Sequence, residues 1–250
     1  MRQSFAWWSF ALGRDERDAA PLLEAAASIG YGGVEMLPES LWPPARDAGL
    51  ALVTESGHAI DTGFNDPANH AALHDEVRRA IDRAAAAGIE HVIVFAGRRD
   101  GRTDADGVRA CIDGLGPVTA HAHETGVGVL LEILNSKVDH PDHHCDRSAF
   151  AFEVVDGVGS PALRVLFDAY HVQLMEGDLS RTIKAGIERI GHVHTAGVPG
   201  RRDLDDRQEI HWPGIAGLLR HLGYDGWIGH ELIPRADPVA ALRQAYELFA

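Results

Sequence analysis

Eight short apolar runs alternate with longer helical segments along the chain, and this alternation restricts the fold more than any other feature. Several of the runs are apolar at nearly every position, which is typical of parallel strands covered on both faces. The segments between them repeat apolar residues at helical spacing, as Leu73, Val77 and Ile81 do. The expected strands are 3–10, 32–37, 50–56, 91–97, 127–134, 164–171, 191–197 and 227–232.

The expected helices begin and end at residue types that cap helices. Asp178 and Asp237 stand where an N-cap is expected. A glycine separates several helices from the following strand, where a left-handed C-cap is expected, as at Gly88 and Gly126. The predicted helices are 15–29, 67–87, 104–124, 146–158, 178–187, 213–222 and 237–249, with a short, weak segment at 39–48.

Eight strand–helix units within 250 residues match the count and size of a (β/α)8 TIM barrel. No Pro/Ser-rich linker divides the chain, so we expect a single α/β TIM-barrel domain over residues 1–250. The competing fold is an open doubly wound sheet, which normally carries a Gly-rich turn after its first strand. The corresponding turn here, ALGRDERD, contains one glycine and favours the barrel.

The charge balance and the cysteines indicate the partners and the compartment. The chain carries 23 Lys and Arg against 37 Asp and Glu, a net charge of -14, which repels phosphate backbones and predicts no nucleic-acid partner. No secretory signal and no apolar stretch long enough to span a bilayer is found, so we expect no membrane association. Cys111 and Cys145 are predicted to be reduced thiols of a cytoplasmic protein.

Acidic and imidazole side chains stand near the ends of the last four expected strands, where barrel enzymes build their active sites. They are Glu132, Asp168, His194 and Glu231. A carboxylate in an apolar strand is costly unless it is paired or bound to a metal. Each residue alone could be ion-paired or hydrogen-bonded, but four matching positions predict a divalent-metal site. The ligand types favour Mn²⁺ or Mg²⁺ and leave Co²⁺ and Zn²⁺ open.

Such a site suits reactions that pass through an enediolate. A divalent ion can hold the carbonyl and hydroxyl oxygens of an α-hydroxy carbonyl compound and stabilise the enediolate that forms on proton loss. Glu132 and Glu231 flank the other two candidate ligands and are the natural pair to remove and return that proton. The predicted reaction is an aldose–ketose isomerisation or an epimerisation.

Several segments together resemble the hydroxypyruvate isomerase-like branch of the xylose isomerase-like TIM barrels. They are QSFAWW, GVEML, LLEILNSKVDHP, LFDAYHVQLMEGDL, HVHTAGVPGRRDLDDRQEIHWPGI and GHELIP. The resemblance runs in order over nearly the whole chain. It implies a divalent metal, usually Mn²⁺ or Mg²⁺, held by Glu132, Asp168, His194 and Glu231, with the two glutamates also acting as acid and base. It leaves a homo-oligomer open.

The resemblance also implies residues that bind the substrate. His171 matches a substrate-contacting histidine, Arg201 in VPGR matches a positively charged clamp, and Glu209 matches a loop glutamate. Glu35 and His58, at the ends of the second and third expected strands, either line the pocket or are structural. Trp7 and Trp8 either wall the site, or one of the pair packs against a helix outside the barrel.

Two positions depart from the pattern of better-known relatives. Hydroxypyruvate isomerases tend to carry Gln at the strand-7 ligand position, whereas His194 is typical of keto-sugar epimerases. Those epimerases carry a further Glu after the strand-5 ligand, where this chain has Lys137. A lysine there favours a substrate carboxylate or phosphate, with a solvated loop charge as the alternative.

The loop histidines His140, His143 and His144 are predicted to be solvated.

The leading hypothesis is a metal-dependent isomerase that converts hydroxypyruvate to tartronate semialdehyde. The alternative is a keto-sugar 3-epimerase or sugar isomerase with the same metal site, so the expected partner is a small hydroxy-keto acid or a keto sugar. A DNA-repair nuclease of the same superfamily is disfavoured by the net charge of -14. A non-catalytic binding subunit is the remaining alternative.

Overall fold

Parallel strands line the inside of the molecule and helices surround them. The computed structural model describes residues 1–13 and 19–250. Within these residues the strands are β1 (Arg2–Ala6), β2 (Gly33–Glu35), β3 (Ala51–Leu52), β4 (Thr54–Ser56), β5 (His91–Val94), β6 (Gly128–Glu132), β7 (Leu163–Asp168), β8 (Ile190–Thr195) and β9 (Trp227–His230).

The helices follow the strands in alternation, as the sequence pattern predicts. In the described part of the chain they are α1 (Trp7–Phe10), α2 (Ala19–Ile29), α3 (Trp42–Asp47), α4 (His70–Ala87), α5 (Asp104–Thr125), α6 (Ser148–Val158), α7 (Ala169–Met175), α8 (Leu179–Gly186), α9 (Trp212–His221) and α10 (Pro238–Phe249). No described helix is long and apolar enough to cross a membrane.

The strands form one parallel sheet in the order β3-β2-β1-β9-β8-β7-β6-β5-β4. Its two end strands are halves of one interrupted strand, because only Val53 separates β3 from β4. The Val53 N–H donates to the Val34 carbonyl at 2.9 Å, and the Val53 carbonyl accepts from His91 N–H at 3.0 Å. This strand therefore joins the two ends of the sheet, and the predicted barrel fold is confirmed.

Alternation along the strands divides their side chains between two apolar clusters. One large cluster includes Val129 and Leu131 and extends to the helices, so it lies outside the barrel. Leu130 and Leu166 belong to a separate inner cluster with Ile93, Phe95 and Leu134. Glu132 is two residues after Leu130, and Asp168 is two residues after Leu166, so both carboxylates point into the barrel.

Two expected strands run directly into a helix before the end that the sequence pattern predicts. The first, expected over 3–10, ends at Ala6 and continues as the helical turn α1. The expected strand 164–171 ends at Asp168, whose side chain caps helix α7 by accepting the backbone N–H groups of Tyr170 and His171. Apolar periodicity cannot separate a strand from a short buried helix that follows it directly.

The predicted helix ends are confirmed in most places. Asp237 caps α10 by accepting the backbone N–H of Val239, and Gly88 and Gly126 are left-handed C-caps. Asp178 is the N-cap residue of α8, as expected, but its backbone is left-handed and its side chain accepts no capping bond from the described residues. The expected helix start at 15–18 lies outside the described residues.

Replacing two of the glycines with alanine should change the free energy of unfolding in opposite directions. A Cβ at Gly63 would lie 2.0 Å from the Ala96 backbone, whereas one at Gly217, in α9, would meet nothing within 4 Å. We expect Gly63→Ala to lower the free energy of unfolding by about 1–3 kcal/mol through overpacking. Gly217→Ala should raise it by about 0.5–1 kcal/mol. Denaturant unfolding of both variants measures this, and equal effects would contradict the close approach at Gly63.

Candidate active site

Four acidic and imidazole side chains meet inside the carboxyl end of the barrel. Glu132 ends β6, Asp168 ends β7, His194 lies in β8 and Glu231 directly follows β9. Each offers one ligand atom, and these atoms all lie within 4.8 Å of one another. None of the four residues is more than 5% exposed. The structure thus brings together the four predicted metal ligands, named the four-residue cluster from here on.

The buried carboxylates of the cluster perturb one another. Burial raises the pKa of Glu132 to about 7, and repulsion from Glu231 adds to the rise. Burial likewise raises the pKa of Asp168 to about 6. At Glu231 burial also acts upward, but Arg201 and His194 outweigh it and lower the pKa to about 2. Additional positive charge at this point would favour the ionised form of all three carboxylates.

The surroundings of the two His194 ring nitrogens test whether a divalent cation fits the four-residue cluster. The Nε2 atom of His194 lies 3.0 Å from Oε2 of Glu35. Its Nδ1 atom lies 3.0 Å from a Glu231 oxygen and 3.7 Å from a Glu132 oxygen, yet it has no directed hydrogen bond with any described residue. A buried ring nitrogen surrounded by carboxylate oxygens is a suitable donor set for Mn²⁺ or Mg²⁺. The residues present therefore fit a divalent cation.

Arg201 covers the cluster as its counter-charge. One guanidinium nitrogen, Nη2, forms an ion pair with Glu231 and lies 3.3 Å from Oδ2 of Asp168. The guanidinium carbon lies 5.2 Å from the ring centre of Trp8 and 5.4 Å from that of Tyr170. The backbone of Arg201 has a φ of 56°, in the left-handed region that non-glycine residues rarely adopt. The turn therefore directs this side chain inward.

Trp8 lies at the entrance to the site. Its indole Nε1–H donates to Oε1 of Glu231 at 2.6 Å, while the side chain stays 37% exposed. Its neighbour Trp7 is buried in the core. The helical turn α1 separates the two tryptophans because it directs successive side chains to different faces. Of the two interpretations offered for Trp8, the wall of the site is the one the contacts support.

His171 joins the cluster through helix α7. Its Nδ1 atom receives the backbone N–H of Asn135 at 3.1 Å and the side-chain amide of Asn135 at 2.5 Å. Both groups are donors, so Nδ1 is the acceptor and Nε2 carries the proton of the neutral ring. Nε2 lies 3.5 Å from Oδ2 of Asp168 and 3.2 Å from Nη1 of Arg201. Two donors, from His171 and Arg201, therefore face one another beside Asp168.

The other three predicted substrate-binding residues make different contacts. His58 donates through Nδ1 to the Ala59 carbonyl at 2.9 Å and accepts the Phe95 N–H through Nε2 at 3.1 Å. Lys137 is exposed, and its Nζ donates to the Leu174 carbonyl at 3.3 Å. Glu209 is exposed and accepts from the Gln173 side chain at 3.2 Å. None of their described hydrogen bonds or ion pairs reaches the four-residue cluster, and their substrate roles stay predictions.

Two of the three histidines of the loop after β6, His143 and His144, are buried, so the expectation that they are solvated was wrong for these two. His143 and His144 are 2% and 0% exposed, and the His140 ring centre lies 5.5 Å from that of His171. The loop folds inward because its backbone is bonded to the loop after β5, with His144 N–H donating to the Gly97 carbonyl at 2.9 Å. These contacts join residues distant in sequence, and no local pattern carries them.

Comparisons with known proteins agree with the fold. The family model described as a xylose isomerase-like TIM barrel matches residues 23–250. The chain belongs to this family. It is 31% identical over 238 residues to a putative hydroxypyruvate isomerase of Homo sapiens, covering 88% of this chain and 86% of the relative. It is 35% identical over 177 residues to a 2-oxo-tetronate isomerase of Cupriavidus necator, covering 70% and 67%.

Solved structures of this family share the architecture. A protein described as an AP endonuclease of family 2 from Brucella melitensis has a TM-score of 0.86 and 26% identity, covering 97% of each chain. Sugar 3-epimerases also superpose, at 16–19% identity, which shows a common fold alone. The isomerase relatives support an isomerase activity for this chain.

The position of Arg201 predicts how its loss affects stability. Arg201→Met would leave three buried carboxylates without their guanidinium partner, and removing one member of a buried ion pair costs about 3–5 kcal/mol. We expect the metal-stripped variant to unfold at a lower temperature than the wild type, and added Mn²⁺ to restore much of the loss. Thermal unfolding with and without Mn²⁺ measures both effects.

The control for this experiment is Lys137→Met, which removes an exposed positive charge on the loop after β6. Surface changes of this kind usually alter stability by no more than about 0.5 kcal/mol. Equal melting temperatures for the Arg201 and Lys137 variants would show that the guanidinium is not the counter-charge of the cluster.

Proposed function

We propose that this protein is a divalent-metal-dependent isomerase that interconverts hydroxypyruvate and tartronate semialdehyde. The observation that carries the proposal is the meeting of Glu132 and Glu231 with Asp168 and His194 within 4.8 Å inside the barrel. The named relatives, a putative hydroxypyruvate isomerase and a 2-oxo-tetronate isomerase, support a small keto acid as the substrate.

The two glutamates are the proposed acid and base. Glu132 and Glu231 reach His194 from β6 and β9, strands that lie on either side of β7 and β8. One carboxylate removes a proton from the hydroxymethyl carbon, and the other delivers a proton to the neighbouring carbonyl carbon. The hydroxyl proton moves to the former carbonyl oxygen, so the atoms balance without an external oxidant. A bound divalent cation would supply the positive charge that stabilises the enediolate between these steps.

The facing donors of His171 and Arg201 support an anionic substrate oxygen. Nε2 of His171 and Nη1 of Arg201 lie 3.2 Å apart, and a carboxylate oxygen near both would accept a hydrogen bond from each. Trp8 and Tyr170 hold the guanidinium between their rings, at 5.2 and 5.4 Å. These aromatic side chains also limit the access of water to the reacting carbons.

The partners and the compartment belong to the same proposal. The net charge of -14 supports a small-molecule substrate over nucleic acid. Cys111 and Cys145 are free and buried, which supports a reducing compartment such as the cytoplasm. Incision of abasic DNA by the purified protein would contradict the substrate proposed here.

The second candidate is a keto-sugar 3-epimerase. His194 supports this candidate. By the family resemblance, keto-sugar epimerases carry a histidine at this ligand position. Both reactions remove a proton from a carbon beside a carbonyl and then deliver a proton from a second group, so the same glutamates would serve. A panel of keto sugars and keto acids under identical metal loading distinguishes them, because only the isomerase should act on hydroxypyruvate.

The proton-transfer roles predict the kinetics of two amide variants. Glu132→Gln and Glu231→Gln keep the side-chain volume but remove the basic oxygen, so each should lower kcat on hydroxypyruvate by about 10²–10⁴-fold. Lys184→Met, on the exposed surface of α8, should retain most of the kcat. Steady-state turnover with saturating Mn²⁺ measures the effect. Near wild-type turnover in either glutamine variant would remove that residue from proton transfer.

A further inference from the structure

Glu35 is a carboxylate placed in the middle of the barrel, next to the four-residue cluster but not part of it. It ends β2 and is 0% exposed. Its Oε1 atom accepts from Ser4 Oγ at 2.5 Å and contacts His192 Nε2 at 3.1 Å. Its Oε2 atom accepts from Thr54 Oγ1 at 3.1 Å and contacts His194 Nε2 at 3.0 Å.

These four contacts occupy both oxygens of Glu35. They come from β1, from β4 and from two positions of β8, so the carboxylate is held from several sides at once. Glu35, His192 and His194 also have ligand atoms within 4.8 Å of one another. Because each Glu35 oxygen already accepts two hydrogen bonds, this second group is better explained as support for the first than as another cation site.

The contact with Glu35 determines which nitrogen of His194 carries hydrogen. An ionised carboxylate only accepts hydrogen bonds, so Nε2 of His194 is the donor and a neutral ring has its lone pair on Nδ1. Nδ1 faces the Glu231 and Glu132 oxygens at 3.0 and 3.7 Å, so a proton or a cation must separate these groups, and the ring binds a cation through Nδ1 once that proton has left. Histidines that bind metals commonly donate their other ring N–H to a carboxylate in this way, which fixes the ring and raises its basicity.

The neighbouring strand leaves room for this contact. Gly229 of β9 is paired in register with His194. A Cβ at Gly229 would lie 2.2 Å from Oε1 of Glu35 and 2.7 Å from Cδ2 of His194. Any larger residue there would push the carboxylate and the ring apart. Burying a carboxylate is costly, and here a glycine also leaves space for it. Packing alone does not explain this arrangement.

We propose that Glu35 is a positioning residue: by accepting the Nε2–H of His194, it keeps Nδ1 available to a divalent cation and so sets the affinity of the four-residue cluster for that cation. This inference rests on the metal-dependent function proposed above. His192, Ser4 and Thr54 contact the carboxylate oxygens of Glu35 as well.

The first measurement is the affinity for Mn²⁺. It is determined by titration, from the electron paramagnetic resonance signal of the Mn²⁺ that remains free. Glu35→Gln keeps the volume but is neutral and can present an amide donor to His194, which would move the ring proton to Nδ1. We expect binding about 10–100-fold weaker than in the wild type. Ser4→Ala is the matched control, since it removes one donor to Glu35 and keeps the Glu35–His194 contact, so its affinity should change far less.

The second measurement reads the ring directly and needs no turnover. In ¹⁵N spectra of the Mg²⁺-loaded wild type, His194 should show a protonated Nε2 and an unprotonated Nδ1. The Glu35→Gln variant should lose this pattern, while Ser4→Ala should keep it. A purely structural role for Glu35 would lower the melting temperature without changing the protonation pattern of His194.

The outcomes separate this inference from the proposed function. If the wild type binds no Mn²⁺, the proposed function fails and this inference fails with it. If the wild type binds Mn²⁺ but Glu35→Gln binds it equally well, only the role of Glu35 is overturned. Should Glu35→Gln not fold, the wild-type spectrum still decides, because a His194 protonated on Nδ1 in the Mg²⁺-loaded protein would contradict the positioning role.

Discussion

Three buried carboxylates that must share one small space are the constraint on which the rest of the site depends. Glu132, Asp168 and Glu231 cannot all be ionised at low cost without nearby positive charge. Arg201 covers them from the entrance, and His194 meets them from within the barrel. The strand ends, the turn that carries Arg201 and the aromatic wall can each be understood as ways to hold and neutralise these charges.

A second layer of polar contacts connects this site to the body of the barrel. Glu35 links hydroxyl groups on β1 and β4 to the two histidines of β8, so the orientation of His194 depends on strands at some distance along the chain. The contact requires a glycine in the adjacent strand, at Gly229. If Glu35 has the positioning role proposed for it, cation affinity and the packing of the barrel interior depend on the same contacts.

The sequence predicts the barrel and the four-residue cluster because both depend on local patterns. Apolar runs define the strands, and a lone carboxylate or imidazole near the end of such a run, as at Glu132 or Asp168, marks a costly position that needs a partner. The buried loop histidines and the contacts of Glu35 could not be predicted. They depend on pairings between distant segments, such as His144 with Gly97 and Glu35 with His194. The helical turn that presents Trp8 was missed because its apolar residues continue the strand pattern.

The central claim is that the four-residue cluster performs metal-dependent proton transfer on a small keto acid. The most direct test is to strip the protein with a chelator and follow hydroxypyruvate by NMR in D₂O, with and without added Mn²⁺ or Mg²⁺. The account predicts tartronate semialdehyde only when metal is present, with solvent deuterium at the carbon that receives the proton. Equal conversion with and without metal would contradict it. Product without solvent deuterium at that carbon would also contradict it, provided that the carboxyl protons of the glutamates exchange rapidly with D₂O.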